Sequence, residues 1–390
     1  MNPFTPGAGL RPAALVGRDE ELQDWAIALQ RLENGRAARS LVLHGLRGVG
    51  RTVLLAELHY VAMDRGWVTV KVKARAGTAL QDTLAHALTP VVGEVLRPGA
   101  SDKLRQAAAT LNAFIAKVNA TGPWFVDLDG VPAAGRGNSG DLAADLTDVV
   151  ADLAEAAQER GSGLAILIDE TQALTRRELE VLCAICHQGA QRGWRVLAAL
   201  AGLPNLPALL FEAKGYAERL FSYRRLTGLP EGPARQALIQ PAAGQGATWE
   251  DAAVGYLVAQ AGGYPYFLQA YGHAAWESAK GRPVLTLDDA RAGALSGLAL
   301  LDTGFYRPRW QRATPAQQGY LAAMAQDGAS PSKSGNIAAR LGNTAGDIRS
   351  SRDSLIKKDL IYAPRRGRVA YALPQMAGFI ARQAKQGWHA

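Results

Sequence analysis

The chain has 390 residues, 48% hydrophobic and 20% charged, enough apolar material for sizeable cores and too much for a disordered chain. At roughly 150 residues per domain the length predicts two or three domains. The 43 Lys and Arg exceed the 35 Asp and Glu, a net +8 that permits contact with a polyanion without establishing one.

Residues 1–14 are rich in Pro and Gly and read as an extended arm with no charged-then-apolar signal pattern. Residues 19–33 start acidic and place Leu22, Trp25, Leu29 and Leu32 at helical spacings. SLVLHG (40–45) reads as a short buried strand that runs into GLRGVGRT and a helical pattern. WVTVKVKA (67–74) alternates as a strand does, and a helical stretch follows. WFVDLDG (124–130) reads as another strand, followed by the glycine-dense loop GVPAAGRGNSG (130–140) and a helix over 141–160. LAILIDE (164–170) is an apolar strand ending in two acids; a helix over 175–191 and a strand over 194–202 follow. This rhythm predicts an α/β fold with a parallel sheet covered on both faces. After Pro230 it changes: residues 231–300 read as helical apart from loops, and 314–385 as three helices, two short strands around a basic turn and a last helix. The divisions are an arm (1–14), a core (15–228), a helical segment (229–304) and a C-terminal unit (305–390). No apolar run approaches the ~20 residues of a membrane span, so a cytoplasmic protein without a membrane partner is expected.

Gly45-Leu46-Arg47-Gly48-Val49-Gly50-Arg51-Thr52 fits the phosphate-binding pattern GxxxxGK[ST] except at Arg51. Such glycines let backbone N–H groups curl around phosphate oxygens, and the helix that begins with Arg51, Thr52 and Val53 points its positive end at the same anion. Thr52 is the expected Mg²⁺ ligand. Arg51 keeps the charge but is planar and bulkier than Lys, which predicts binding of ATP with weakened hydrolysis. Asp169 is expected to complete the Mg²⁺ site and Glu170 to polarise an attacking water. An ordinary glycine-rich turn beside two solvated acids is the bland alternative.

Cys183-Ala184-Ile185-Cys186-His187 spells a haem-attachment string. With no export signal and no second cysteine pair, it reads instead as one buried stripe of a helix, free cysteine being a small hydrophobe.

The phosphate loop and LAILIDE together resemble the P-loop ATPases of the AAA+/STAND group, closest to initiator, origin-recognition-like members. The resemblance covers about residues 15–300. It implies that Val16, Gly17 and Arg18 pack beside the adenine. Asn205 becomes the polar sensor after the strand over 194–202, Pro265 of GGYPYFL a contact from a helical lid, and Arg219 the finger that reaches a neighbouring subunit, with Arg224 and Arg225 as alternatives. The lid segment lacks the arginine that AAA+ members place there, which favours the STAND branch. Self-association is implied as well.

Residues 305–390 hold 14 of the basic and 4 of the acidic residues, a net +10, so the rest of the chain carries −2. Their pattern resembles a winged helix-turn-helix with helices over 316–324, 334–342 and 344–357. Ile348 and Leu355 would face inward and Arg349, Arg352 and Lys357 outward, with wing strands over 360–363 and 369–373. Arg365, Arg366 and Arg368 form the wing tip. A third helix in the major groove with a basic wing on phosphate implies DNA binding. Three readings follow: a nucleotide switch that engages DNA; a signalling or scaffold ATPase whose winged helix contacts protein, its own or an unidentified partner's; and a nucleotide-binding protein that Arg51 keeps from hydrolysing.

Overall fold

The computed structural model describes residues 1–7, 9–95, 101–118 and 136–385. The strand expected over 124–130 and most of the 130–140 loop lie outside the described residues.

Five parallel strands form the core: β1 (Ser40–Gly45), β2 (Val68–Lys73), β3 (Leu164–Asp169), β4 (Val196–Gly202) and β5 (Phe221–Leu226), ordered β2-β3-β4-β1-β5. Their apolar runs hide a two-sided alternation. Leu164, Ile166 and Ile168 of β3 enter one hydrophobic cluster, while Ala165 and Leu167 enter another. The first cluster is covered by α3 (Leu80–Val95), α4 (Asp102–Val118), α5 (Leu142–Glu159), α6 (Arg176–Arg192) and α7 (Leu206–Ala213). The second is covered by α1 (Asp19–Glu33) and α2 (Arg51–Asp64), which Trp25 Nε1 ties together by donating to Leu58 O (2.9 Å). A strand with both faces covered has no polar face to show, so it reads as a continuous apolar run. Thr175 starts α6 with a reciprocal capping box to Glu178. Within α6, Cys183 is fully buried and Cys186 half-buried, both as free thiols. Burial pushes both upward, to about 12 and about 11, and no metal-ligating cluster occurs among the described residues.

A short helix α8 (Ala217–Leu220) precedes β5. The lid comprises α9 (Glu231–Ala243), α10 (Asp251–Ala261), α11 (Pro265–Ala279) and α12 (Leu287–Leu300). It is not wholly helical: β6 (Thr248–Trp249) and β7 (Val284–Leu285) pair as a two-residue parallel bridge. A π-helical turn, Leu301–Tyr306, and the short α13 (Arg307–Trp310) lead onward.

The C-terminal unit is a winged helix. It contains α14 (Pro315–Ala325), α15 (Ser334–Arg340), α16 (Arg349–Lys357) and α17 (Met376–Lys385). The wing strands are β8 (Ser332–Lys333), β9 (Ile361–Arg365) and β10 (Arg368–Tyr371), ordered β8-β10-β9. The third helix starts five residues later than its sequence pattern predicts, because Asp347 accepts from the Thr344 backbone and hydroxyl (2.9 and 2.7 Å) and holds a turn there. Ile348 and Leu355 point inward. No described helix is long and apolar enough to cross a membrane.

Candidate nucleotide site

Parallel strands aim their C-terminal ends at one edge, where α/β sheets bind ligands. β1 ends there in the glycine loop and β3 in Asp169 and Glu170. Gly48 and Gly50 hold φ at 83° and 89°, a left-handed region open to glycine and costly for other residues. Thr52 Oγ1 donates to Asp169 Oδ2 (2.8 Å), so the hydroxyl and the strand-end carboxylate meet directly.

Arg51 is only 6% exposed. Its Nη1 has no hydrogen-bond partner, and its Nη2 lies 3.8 Å from Glu170 Oε2, beyond a hydrogen bond. A buried guanidinium left this incompletely satisfied is a strong attractor for an anion. Burial lowers its pKa, opposed by the Glu170 and Asp169 carboxylates. Glu170 is held more firmly by Arg47 (Nη1 to Oε1, 3.0 Å) and by Gln172 (Nε2 to Oε2, 2.6 Å). Burial works against ionisation of Glu170, yet the Arg47 and Arg51 charges overcome it and keep the carboxyl below its ordinary range. Gln172 also accepts from Leu203 N (3.1 Å), linking Glu170 to the end of β4.

A cavity of about 390 Å³ opens beside the loop, lined by Arg47 through Val53, Glu170, Lys73 of β2, and Pro265 and Tyr266 of the lid. Tyr266 N donates to Gly48 O (3.2 Å), joining lid and loop. Val16 and Arg18 also line the cavity; Gly45, Gly17 and Asn205 do not. Arg18 directs its guanidinium at Val49 O (3.0 Å) and Thr227 O (2.8 Å), acting as a strut between the loop and the end of β5. Asn205 caps α7 without a side-chain capping bond, and its Oδ1 is buried without a partner. The N-terminal arm forms another wall, and Gly304, Phe305 and Arg309 from the segment after the lid line the cavity as well. Phe4, 2% exposed, packs edge-on against Trp249 and Trp276 of the lid, and Gly9 passes over the Thr52 methyl. Arg219 lies elsewhere: it is exposed in a cleft of about 750 Å³ at the opposite end of the sheet, beside the start of β5. Arg224 pairs with Asp24.

Residues 14–198 match the AAA ATPase domain family. The chain carries an AAA ATPase domain. Nucleotide binding comes with that family, and the cradle and orphaned guanidinium fit a phosphate chain. Residues 303–380 match a family described as a domain of unknown function, DUF8462. Among solved structures, the Walker-type ATPase of Pyrococcus abyssi is similar in fold at 16% identity, with 95% of this chain and 97% of that one covered and a TM-score of 0.58. The Aeropyrum pernix ORC1 protein in complex with DNA follows at 16% identity, 96% and 95% coverage and a TM-score of 0.49. No curated protein matches the sequence.

The winged helix docks onto the AAA domain at the phosphate loop. Arg47 N donates to Ala372 O (3.0 Å), and Arg47 Nη2 donates to Asp359 Oδ2 (2.9 Å). Glu170 and Asp359, the carboxylates that share Arg47, both adopt left-handed backbone, φ 52° and 53°. Burial raises the pKa of Asp359 against the pull of Arg47. Sequence reasoning missed this three-part contact, which joins residues over 300 positions apart.

Of the candidate DNA contacts, Arg349, Lys357, Arg365 and Arg366 are exposed, Arg365 ending β9 and Arg366 lying in the hairpin turn. Arg349 and Arg352 both pair with Asp353, the latter half-buried (donating at 2.8 Å), and Arg368 donates to Pro331 O (3.0 Å). Asp353 explains why the outward stripe is less positive than its arginines suggest; the i,i+4 pair with Arg349 was readable in the sequence.

Proposed function

We propose that the chain is an ATP-dependent switch, with the nucleotide between the AAA domain and the lid and the winged helix as its output. One observation carries this reading: a buried, incompletely paired Arg51 stands in a glycine cradle beside the Thr52–Asp169 pair and Glu170. Thr52 and Asp169 are the residues that would hold Mg²⁺, which when bound neutralises phosphate charge. The loop N–H groups bind phosphate, Val16 and Pro265 flank the base, and Asn205 and Gln172 carry the phosphate state toward β4. Glu170 is the base-side carboxylate that orients water, and its work requires loosening from Arg47. Arg219, at the far end of the sheet, is suited to a neighbouring subunit's site, which supports self-association. The exposed Lys357, Arg365 and Arg366 support DNA as the partner of the output.

The test is phosphate release with ATP. The wild type is expected to turn over slowly, Arg51→Lys faster, and Glu170→Gln to bind without release. Tight binding with no release in any of the three leaves a binding protein and removes the ATPase. DNA retention at low salt is expected, falling when Arg365 and Arg366 are both changed to Glu and steeply with added salt; no retention with or without ATP removes DNA from the reading.

The docked winged helix favours a second reading. Asp359 and Ala372 occupy Arg47, as a signalling ATPase held by its own C-terminal unit requires. ATP would then change the particle size seen by light scattering without any DNA present.

A further inference from the structure

The described cavity-lining cations are not equivalent. Arg18 is committed to two backbone carbonyls, Arg47 to two carboxylates, and Arg51 leans on Glu170. Lys73 is exposed, so water screens it. Arg309 differs from all of them. It comes from α13, outside the matched ATPase residues and inside the C-terminal match, yet it lines the same cavity as Gly48, Thr52 and Glu170.

Arg309 is half-buried. Its Nη1 donates to Phe305 O (2.6 Å), and its guanidinium lies 4.7 Å from the centre of the Phe305 ring. No carboxylate among the described residues forms an ion pair with it. Burial, with the Arg47 charge next, lowers its pKa. A partly desolvated cation that feels the Arg47 charge, with Glu170 only weakly opposing it and no ion pair made, is relieved when an anion arrives. The mounting is rigid. Phe305 is 5.0 Å from Tyr266, whose N–H holds the Gly48 carbonyl. The π turn that carries Phe305 and leads into α13 is an irregularity found frequently at functional sites.

We infer that Arg309 is a ligand of the nucleotide's phosphate chain, supplied to the AAA domain's cavity by the segment that joins the lid to the winged helix. The inference rests on the nucleotide reading above and adds to it: the phosphate chain neutralises Arg309, so its binding reaches the C-terminal unit directly.

Calorimetric titrations of ATP and of adenosine into the full chain test it, using the wild type, Arg309→Gln and Arg309→Lys. The expected result is a loss of about tenfold or more in ATP affinity for Arg309→Gln, a smaller loss for Arg309→Lys, and unchanged adenosine affinity in both. Equal ATP affinity in Arg309→Gln and wild type overturns the inference while leaving the nucleotide site intact. An equal loss for ATP and adenosine assigns Arg309 a structural part and also overturns it. A wild type that binds neither ligand removes the nucleotide reading itself, and the inference with it.

Discussion

Beside the phosphate loop, His44 is a residue whose chemistry departs far from its ordinary behaviour. Burial, with the Arg225 and Arg51 charges behind it, pushes its pKa from 6.5 down to about 4, and its Nδ1 has no partner. The unfolded chain takes up this proton near pH 6.5, whereas the folded chain refuses it until about pH 4. Across that window the unfolded state holds more protons, so stability falls as the pH drops through it. At ~1.4 kcal/mol per unit, discounted for the solvent screening of a part-exposed ring, the loss between pH 7 and 4.5 is about 1 kcal/mol. His44→Gln is expected to remove that share of the slope in urea unfolding at the two pH values. Parallel slopes in wild type and variant would contradict the assignment. The neutral ring also keeps a third positive charge away from Arg225 and Arg51.

Among the elements, the N-terminal arm couples stability to access. Phe4 is its anchor, seated between Trp249 and Trp276, and the chain beyond it crosses the cavity to the Arg11–Glu57 ion pair. Phe4→Ala is expected to cost about 3 kcal/mol and to free the arm, so a fluorescent ATP analogue should dissociate faster in stopped flow. An unchanged off-rate would mean that the arm does not retain ligand. This arm was illegible in the sequence beyond being extended, because one aromatic anchor among prolines and glycines has no period to detect. The β1 and β3 strands were legible, since covered faces leave apolar runs. The third winged-helix helix was overextended because the Thr344–Asp347 turn shares its composition with a helix start. Within the site, Thr52, Arg51, Asp169 and Glu170 are adjacent to motif glycines or strand ends, so sequence could bring them together. Arg309, Arg47 with Asp359, and Gln172 with Leu203 meet only through tertiary packing, and no spacing announces them.

For the whole molecule, the contact between the winged helix and the phosphate loop is the feature most open to measurement. The Arg47 amide is protected by Ala372 O across that contact, so its hydrogen exchange reports docking. Asp359→Asn keeps a side chain that tolerates left-handed backbone but discards the charge that holds Arg47. Exchange at Arg47 is expected to speed up about tenfold or more, since hydrogen bonds to charged groups contribute ~1.5–3 kcal/mol. Unchanged exchange would show that other contacts hold the unit in place, Gln375 to Gln260 O among them.

Lid and winged helix share one hydrophobic cluster, in which Phe267, Phe305, Tyr306 and Phe379 form a continuous aromatic ladder and Tyr306 stacks on Phe379 at 5.0 Å. Unfolding of either unit therefore exposes the core of both. A chain cut after the lid would leave its side of this ladder open to water as an adhesive face. Trimming away the C-terminal unit to isolate the AAA domain and lid would expose that face and favour aggregation, so coupling between the units is best dissected with point substitutions in the intact chain.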